Sequence, residues 1–322
     1  MSVLVYTESE EGKFKKVAHE VVSYAKGVAD QMGTTVTAVA INADDTAALG
    51  TYGASKVLNI SDDKLQKFNA RAYASAIQQA VQQEGAQVVV LSSSANSKYL
   101  APMLAVKLDA SFASNVVALP ESTSPFTVKS NVFTNKAFAH TELSGAVKIV
   151  ALAKNAYGLK ESETTATAES FAPQLSDTDF GIEVQSVDKV TGKVTIADAE
   201  VVVSGGRGLK GPENWGMIEE LAETLGAATA CSKPVSDMGW RPHSEHVGQT
   251  GKPVASNLYI AVGISGAIQH LAGINASKVK VVINNDPEAP FFKAADYGIV
   301  GDAFEVVPKL IEKLKEFKAN NA

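Results

Sequence analysis

The run SGGRG, residues 204–208, is the first place in this chain where residue type and spacing could bind an anion. Glycines let a backbone approach a ligand closely and adopt positive φ. Arg207 carries a planar guanidinium whose fork matches phosphate. The same five residues also make a tight strand–helix turn with a solvated arginine. A second run, GISGAIQH at 263–270, offers Ser265 as the cap of a helix whose first N–H groups point outward as an anion site. Gly266 removes the side chain that would block a phosphate, and His270 falls one turn inside the helix. The plainer reading is a capped helix with a histidine at the edge of the core. NNDPEAP at 284–290 and GDAF at 301–304 complete the set. In open α/β sheets ligands bind just past the C-terminal ends of strands. Each of these four runs follows an apolar, strand-like segment, and their agreement carries more than any one of them.

Other constellations are poorer. VGQTGK at 247–252 approaches a P-loop, which needs glycine at 246 and Ser or Thr after the lysine. This chain has His246 and Pro253 there, so a nucleotide-hydrolase reading fails. A polar glycine loop remains, in which Thr250 can donate a hydrogen bond. A dinucleotide is expected to be held without the usual first-turn device of the GxGxxG fingerprint. His243 and His246 lack the further ligands that a metal site needs. Cys231 reads as a buried structural thiol, Glu245 as solvated, and Trp215 and Trp240 as packing residues. No nucleophile stands with a base and an orienting partner.

The elements that must position these runs alternate. In the first half, Ser2–Thr7, Thr35–Ile41, Lys56–Ile60 and 87–91 read as strands, and 13–32, 62–84 and 97–108 as helices. Strands separated by such helices predict a mostly parallel sheet covered on both faces. Residues 127–138 and 146–152 read as further strands, added antiparallel. The stretch 159–177, rich in Glu, Ser, Thr and Ala, has no period and reads as an exposed loop. Residues 180–190 and 193–196 look strand-like. The second half repeats the alternation, with strands at 200–203, Leu258–Val262, 279–283 and 298–300. Its helices fall at 212–225, from 267, and at 304–317, with Pro212 and Pro308 in first turns. The expected fold is α/β, with two open, mostly parallel sheet domains. An N-terminal domain takes 1–196, including the loop 159–177. A C-terminal domain takes 197–322 and is Rossmann-like without the GxGxxG fingerprint.

Composition removes several classes. The chain has 322 residues, a length that suits two domains. A net charge of -6 argues against non-specific nucleic-acid binding, which needs a basic surface to replace phosphate counterions. A single cysteine rules out an intrachain disulfide and any cysteine-built cluster. The first apolar run is only a strand long and acidic residues follow it, unlike a signal or transit peptide. No apolar run approaches the ~18 residues of a membrane span. The expectation is a bacterial cytoplasmic protein without membrane insertion.

With these runs in view, the chain resembles the alpha subunit of electron transfer flavoprotein. The resemblance is dense from Val201 to about Leu310. It is carried by VVVSGGRGLKGPENW, VGQTGK, LYIAVGISGAIQHLAG, INNDPEAPFFKAADYGIVGD and VVPKL. The N-terminal half agrees through VLVYTE and its strand–helix order. The resemblance implies a heterodimer with a beta subunit, holding one FAD chiefly through the C-terminal domain of alpha. It implies an electron carrier rather than an enzyme with its own substrate pocket. Flavoprotein dehydrogenases, such as the acyl-CoA dehydrogenases of fatty acid beta-oxidation, would donate electrons. A quinone-linked or other acceptor oxidoreductase would receive them.

The resemblance also implies roles for single residues. Arg207 would lie near the FAD beside its strand end. Ser232 and Lys233 would meet the flavin ring. Val247, Gly248, Gln249 and Thr250 would line the ring, with Thr250 near flavin N5. Ser265, Gly266, Ala267, Ile268, Gln269 and His270 would run from the phosphates to the ring edge, where His270 would stabilise negative charge. Asn284 and Asp302 would hold the adenosine side. Lys233 stands where the family usually has arginine; the charge survives but the planar fork is lost, which would alter the reduction potential. A flavin- or NADH-dependent oxidoreductase subunit, including one that bifurcates electrons, is the alternative. The absence of an acid–base set argues against it. A nucleotide-binding regulatory module without a redox role is a third reading.

Overall fold

Runs such as SVLVYT, TVTAVAI and VVVLS have no polar face, and only a sheet covered on both sides can bury them. The computed structural model describes residues 2–133, 135–187, 195, 196 and 199–321. It divides into two units, Met1–Phe133 with Ala137–Val187, and Thr134–Lys136 with Asp188–Ala322. The expected boundary before Ala197 lies outside the described residues, as do parts of the strand-like stretches 180–190 and 193–196.

In the first unit, Ser2–Thr7 pairs in parallel with Thr35–Ile41 on one side and Val88–Ser92 on the other. Lys56–Ile60 extends one wing. Lys148–Leu152 and then Ser111–Val116 extend the other, again in parallel. Helix Lys16–Met32 covers one face through Val21, Val22, Ala25 and Val28. Helices Ala70–Glu84 and Ala95–Leu108 cover the opposite face, around Leu58, Ile77, Leu100 and Leu104. Asn69 begins the helix Ala70–Glu84. Its side-chain oxygen accepts from the N–H groups of Arg71 and Ala72 at 3.1 and 3.3 Å, and its Nδ2 donates to the Ile182 carbonyl at 3.0 Å.

Several expectations for this unit are corrected. The stretch 146–152 is not an antiparallel addition; it is the interior parallel strand Lys148–Leu152, and the apolar KIVAL has a neighbour on each side. Antiparallel pairing instead joins Phe126–Val132 to Ala137–Glu142, to Ser122–Thr123 and, at one position, to Ser111–Val116. The strand Ser111–Val116 escaped notice because SFASNV has a mixed, half-exposed pattern. Within the expected loop 159–177, Thr167–Ser170 pairs in parallel with Lys56–Ile60. All four of its side chains are exposed, so backbone pairing alone makes it a strand and no hydrophobic period marks it. Asp177–Phe180 is a 3-10 turn, and the described residues from 181 to 187 form no strand.

The second unit has five parallel strands in the order Ala228–Cys231, Val201–Gly205, Leu258–Val262, Val279–Asn284, Tyr297–Val300. The chain starts at Val201–Gly205, steps out to Ala228–Cys231, and then crosses back to Leu258–Val262. The direction of winding reverses between the first and third of these. The crevice past their C-terminal ends is therefore the topological switch point, where such sheets bind ligands. Helices Gly216–Leu225 and Ala303–Asn320 pack over Val203, Ile260 and Ile283. Ile274 of helix Ile268–Ile274 packs with Val202, Tyr259 and Ala261 on the other face. The helix expected over 212–225 opens with a 3-10 turn, Pro212–Asn214, and is α only from Gly216. Pro308 lies inside the last helix rather than in its first turn, because that helix already begins after the Asp302 cap. Among the described residues, no helix is long and apolar enough to cross a membrane.

Asn69 both caps a helix and anchors Ile182. Replacing it with alanine should lower the stability of the first unit by about 1–2 kcal/mol, read as an earlier urea midpoint at unchanged m-value.

Candidate functional site

Val201–Gly205 and Leu258–Val262 run in register, and the chain leaves both at the same level. The Gly206 N–H donates to the Val262 carbonyl at 2.8 Å, and the Gly208 N–H to the Gly263 carbonyl at 3.0 Å. The two loops touch through their backbones, with the Ile264 side chain also against Gly206. A Cβ on Gly206 would stand 2.1 Å from the Gly263 oxygen, and Gly263 itself has φ 64°. Larger residues at either position would force the loops apart.

Beyond this contact lies a cavity of about 730 Å³, within the ~300–1,000 Å³ common for cofactor sites. Twelve of the sequence-predicted residues line it: Arg207, Ser232, Lys233, Val247, Gly248, Gln249, Thr250, Ser265, Ala267, Gln269, His270 and Asn284. Three others are placed differently. Gly266 is buried against Phe291, whose N–H donates to the Ser265 carbonyl at 3.0 Å. Ile268 is exposed. Asp302 accepts from the Phe304 N–H at 2.9 Å as a helix cap, and its carboxylate lies 3.9 Å from Lys210 Nζ. Ser265 does not cap its helix. Gly266, at φ 88°, interrupts the chain, so the cap position falls at Ala267, which has no side chain able to bond.

Sequence reasoning missed several lining residues, among them Pro234, Asp237, His246 and Asp286. Pro234 and Asp237 belong to the short helix Lys233–Asp237, and His246 precedes the glycine loop. A helix of five residues has too few turns to show a periodic signal.

Hydrogen bonds fix the loop 247–250 from two sides. The Val247 N–H donates to the Cys231 carbonyl at 3.0 Å, and the Gln249 N–H to the Gln269 carbonyl at 2.7 Å. Gly273 of helix Ile268–Ile274 lies so close that a Cβ there would meet Gly248 Cα at 2.6 Å. Ser232 is tied to the neighbouring strand through its N–H, 3.1 Å from the Gly205 carbonyl, and its hydroxyl makes no capping bond. Asn284 Nδ2 donates to the Ile264 carbonyl and its Oδ1 accepts from the Asp286 N–H, each at 3.0 Å. Its side chain thus ties two loops together. Among the described residues, Arg207 and Lys233 carry no ion pair. Cations without an ion pair can meet an anionic ligand, and the carboxylates of Asp237 and Asp286 on the same cavity can accept from its hydroxyl groups.

Buried polar groups lie behind the wall. The Tyr259 hydroxyl is 3.0 Å from His270 Nε2, and both side chains are buried. Burial pushes His270 down to about 4, helped by His246 and opposed by the Val247 backbone. Burial pushes the Tyr259 hydroxyl well above its ordinary range. The tyrosine therefore keeps its proton and the histidine stays neutral near pH 7. Burial, and then the Glu245 charge, raise the Cys231 thiol to about 12, so it is an unreactive core group. Glu245 is not solvated as expected: Arg241 donates two bonds to it, at 2.8 and 2.7 Å. The same guanidinium lies 5.4 Å from the Trp215 ring centre. Trp215 is buried and Trp240 packs against the same core.

Comparison with known proteins follows the same division. The model described as "Electron transfer flavoprotein FAD-binding domain" matches residues 195–275. The model described as "Electron transfer flavoprotein domain" matches residues 3–176. The chain is 35% identical to "Electron transfer flavoprotein subunit alpha" of Bacillus subtilis, over 99% of both chains. It is equally identical to the protein of that name from Syntrophomonas wolfei, over 97% of this chain and 98% of the other. It is 35% identical to "Electron transfer flavoprotein subunit alpha, mitochondrial" of Arabidopsis thaliana, over 99% of this chain and 91% of the other.

His270 titrates at about 4 when folded, against an ordinary 6.5. Between those values the unfolded chain binds more protons, so stability is intact above pH 6.5 and falls as pH drops toward 4. Urea midpoints of the second unit should decline from pH 7 to pH 5. His270→Gln should make that decline shallower, and an unchanged slope would refute the assignment.

Proposed function

The chain belongs to the electron transfer flavoprotein alpha-subunit family, and we propose that the cavity at the switch point of its second unit is where it holds FAD. The observation that carries this reading is the pair of unpaired cations, Arg207 and Lys233, on a glycine-edged cavity of about 730 Å³. FAD has a doubly charged diphosphate, a hydroxyl-rich linker and a flat ring. The residues present fit each part. Arg207 offers a guanidinium to the diphosphate. Ser232, Gln249, Thr250 and Gln269 offer hydroxyl and amide groups, and the carboxylates of Asp237 and Asp286 offer acceptors for hydroxyl protons. Bound FAD would supply the electron-transfer chemistry, and the chain would bind, orient and charge-balance it.

In this reading the loop 247–250 lines the ring, with Thr250 near N5, and Ser232 and Lys233 lie at the ring. The segment 265–270 runs between phosphates and ring edge. Gly266 acts from beneath, by seating the segment on Phe291, and Asn284 acts by joining the Ile264 and Asp286 loops. Ile268 and Asp302 would reach the cofactor from outside the cavity proper, Asp302 on the adenosine side. The fold is Rossmann-like, and the expectation that it lacks GxGxxG is corrected by GRGLKG at 206–211, where Gly206, Gly208 and Gly211 hold that spacing directly after the strand Val201–Gly205.

The cavity has no nucleophile paired with a base, which supports an electron carrier rather than an enzyme with its own substrate. Its partners would be a beta subunit, flavoprotein dehydrogenases as donors and a quinone-linked or other oxidoreductase as acceptor, in the cytoplasm.

Co-expression with the cognate beta chain tests the reading: a yellow complex with one FAD per heterodimer is expected, and a colourless one refutes it. Arg207→Ala should weaken FAD binding by about 1.5–3 kcal/mol, a loss of roughly 10- to 150-fold in Kd by equilibrium dialysis. Lys233→Gln should lower the reduction potential in a redox titration, because a cation that favours added negative charge is gone.

A further inference from the structure

The histidine that disqualifies 246–252 as a P-loop lines the cavity and has no role in the reading above. His246 is 2% exposed. Its carbonyl accepts from the Lys252 N–H at 2.9 Å, so the loop 247–251 closes around its ring. A Cβ on Gly251 or Gly248 would stand 2.9 or 3.4 Å from the imidazole. Its Nδ1 is buried without a hydrogen-bond partner.

The charged and titratable groups around it come from four directions. The His243 ring centre is 5.1 Å away. Lys233 and Asp237 act from the helix Lys233–Asp237. His270 acts from the helix Ile268–Ile274. Cys231 bridges to it from the neighbouring strand end. Only Asp237 favours a charged ring. Burial first, then His243 and Lys233, hold His246 below its ordinary range, so it waits neutral. A negative charge placed beside a histidine reverses that balance, because an opposite charge a few ångströms away favours the protonated form. His270 is a poor candidate for the same part. Its Nδ1 is likewise without a hydrogen-bond partner among the described residues, but its Nε2 is engaged by Tyr259, and burial sets it at about 4.

We propose that His246 takes up a proton from solvent when the flavin bound in this cavity gains negative charge. The proposal rests on the FAD reading. One electron arrives from a reduced donor protein. One proton passes from water to the free imidazole nitrogen, which becomes imidazolium. No bond forms between His246 and the cofactor, and the net charge of the cavity is unchanged. By linkage, the potential for the first electron falls with rising pH between the pKa of His246 beside oxidised and beside reduced cofactor, and is flat outside that window.

The test uses the FAD-loaded alpha–beta complex, reduced electrochemically by one electron at a series of values from about pH 5 to 8. Potential and proton uptake are recorded, the latter with an indicator dye in weak buffer. The wild type should show a sloping potential and uptake approaching one proton per electron. His246→Gln, with FAD still bound, should lose most of both. If the variant keeps the wild-type slope and uptake, or the wild type shows neither, the proposal is overturned while the FAD reading stands. A complex without flavin would overturn both. Should His246→Gln fail to hold FAD, histidine ring carbon NMR of the wild type decides. The His246 signal should move to its protonated position on reduction, and an unmoved signal overturns the proposal.

Discussion

The second unit depends on one close approach, the backbone of Gly206 against the backbone of Gly263. Two parallel strands can end at the same level and still diverge, with side chains filling the gap between their loops. Here the backbones themselves meet, and the loops are joined by N–H donors from Gly206 and Gly208. The contact sets the floor of the cavity. It also directs Arg207 and Ser265 to its edge, because each lies within two residues of the joined glycines. The remaining wall is brought in by the crossover. Ser232 follows the outer strand and is bonded to Gly205, and loop 247–250 is bonded to Cys231 and Gln269. The order of strands thus gathers residues more than 70 positions apart with few long-range side-chain bonds.

Electrostatics complete what the backbone begins. The chain is acidic overall, yet two cations face the cavity without partners among the described residues. Behind them, buried histidines and a buried tyrosine are held neutral by desolvation. The neutral groups behind the wall add no charge of their own, so the charge at the cavity is set by Arg207 and Lys233 together with the carboxylates of Asp237 and Asp286. Asp302 and Glu245 show the contrasting use of charge. One caps a helix and the other pairs with Arg241 over Trp215, so both serve the frame.

Much of this was legible from residues alone, for identifiable reasons. Glycine-rich runs directly after apolar strands pointed to the strand ends that border the cavity, because strand direction and side-chain period are local properties. Arg207, Thr250 and His270 were found that way or through the family resemblance. What stayed hidden depends on long-range packing. Lys148–Leu152 could not be placed inside the sheet, since parallel and edge strands of that length share one pattern. Thr167–Ser170 had no buried side chain to announce it. The cap moved from Ser265 to Ala267 because Phe291, 26 residues later, binds the Ser265 carbonyl. His246 showed only as a failed motif, since its burial needs the loop that folds around it.

The first unit has the same topological device with a different residue at its mouth. Its sheet also reverses direction, between Ser2–Thr7 and Val88–Ser92, so it too has a switch point. The residue that follows the first strand there is Glu8, which is 4% exposed. Its carboxylate accepts from the Ser92 hydroxyl and, at 3.4 Å, from Ser97. A buried carboxylate at this position takes up the hydroxyl donors that a phosphate would need, and it repels the phosphate as well. In the second unit the equivalent residue is Gly206, with no side chain at all. Two sheets of related topology therefore carry a buried glutamate in one and a glycine in the other at the same structural position.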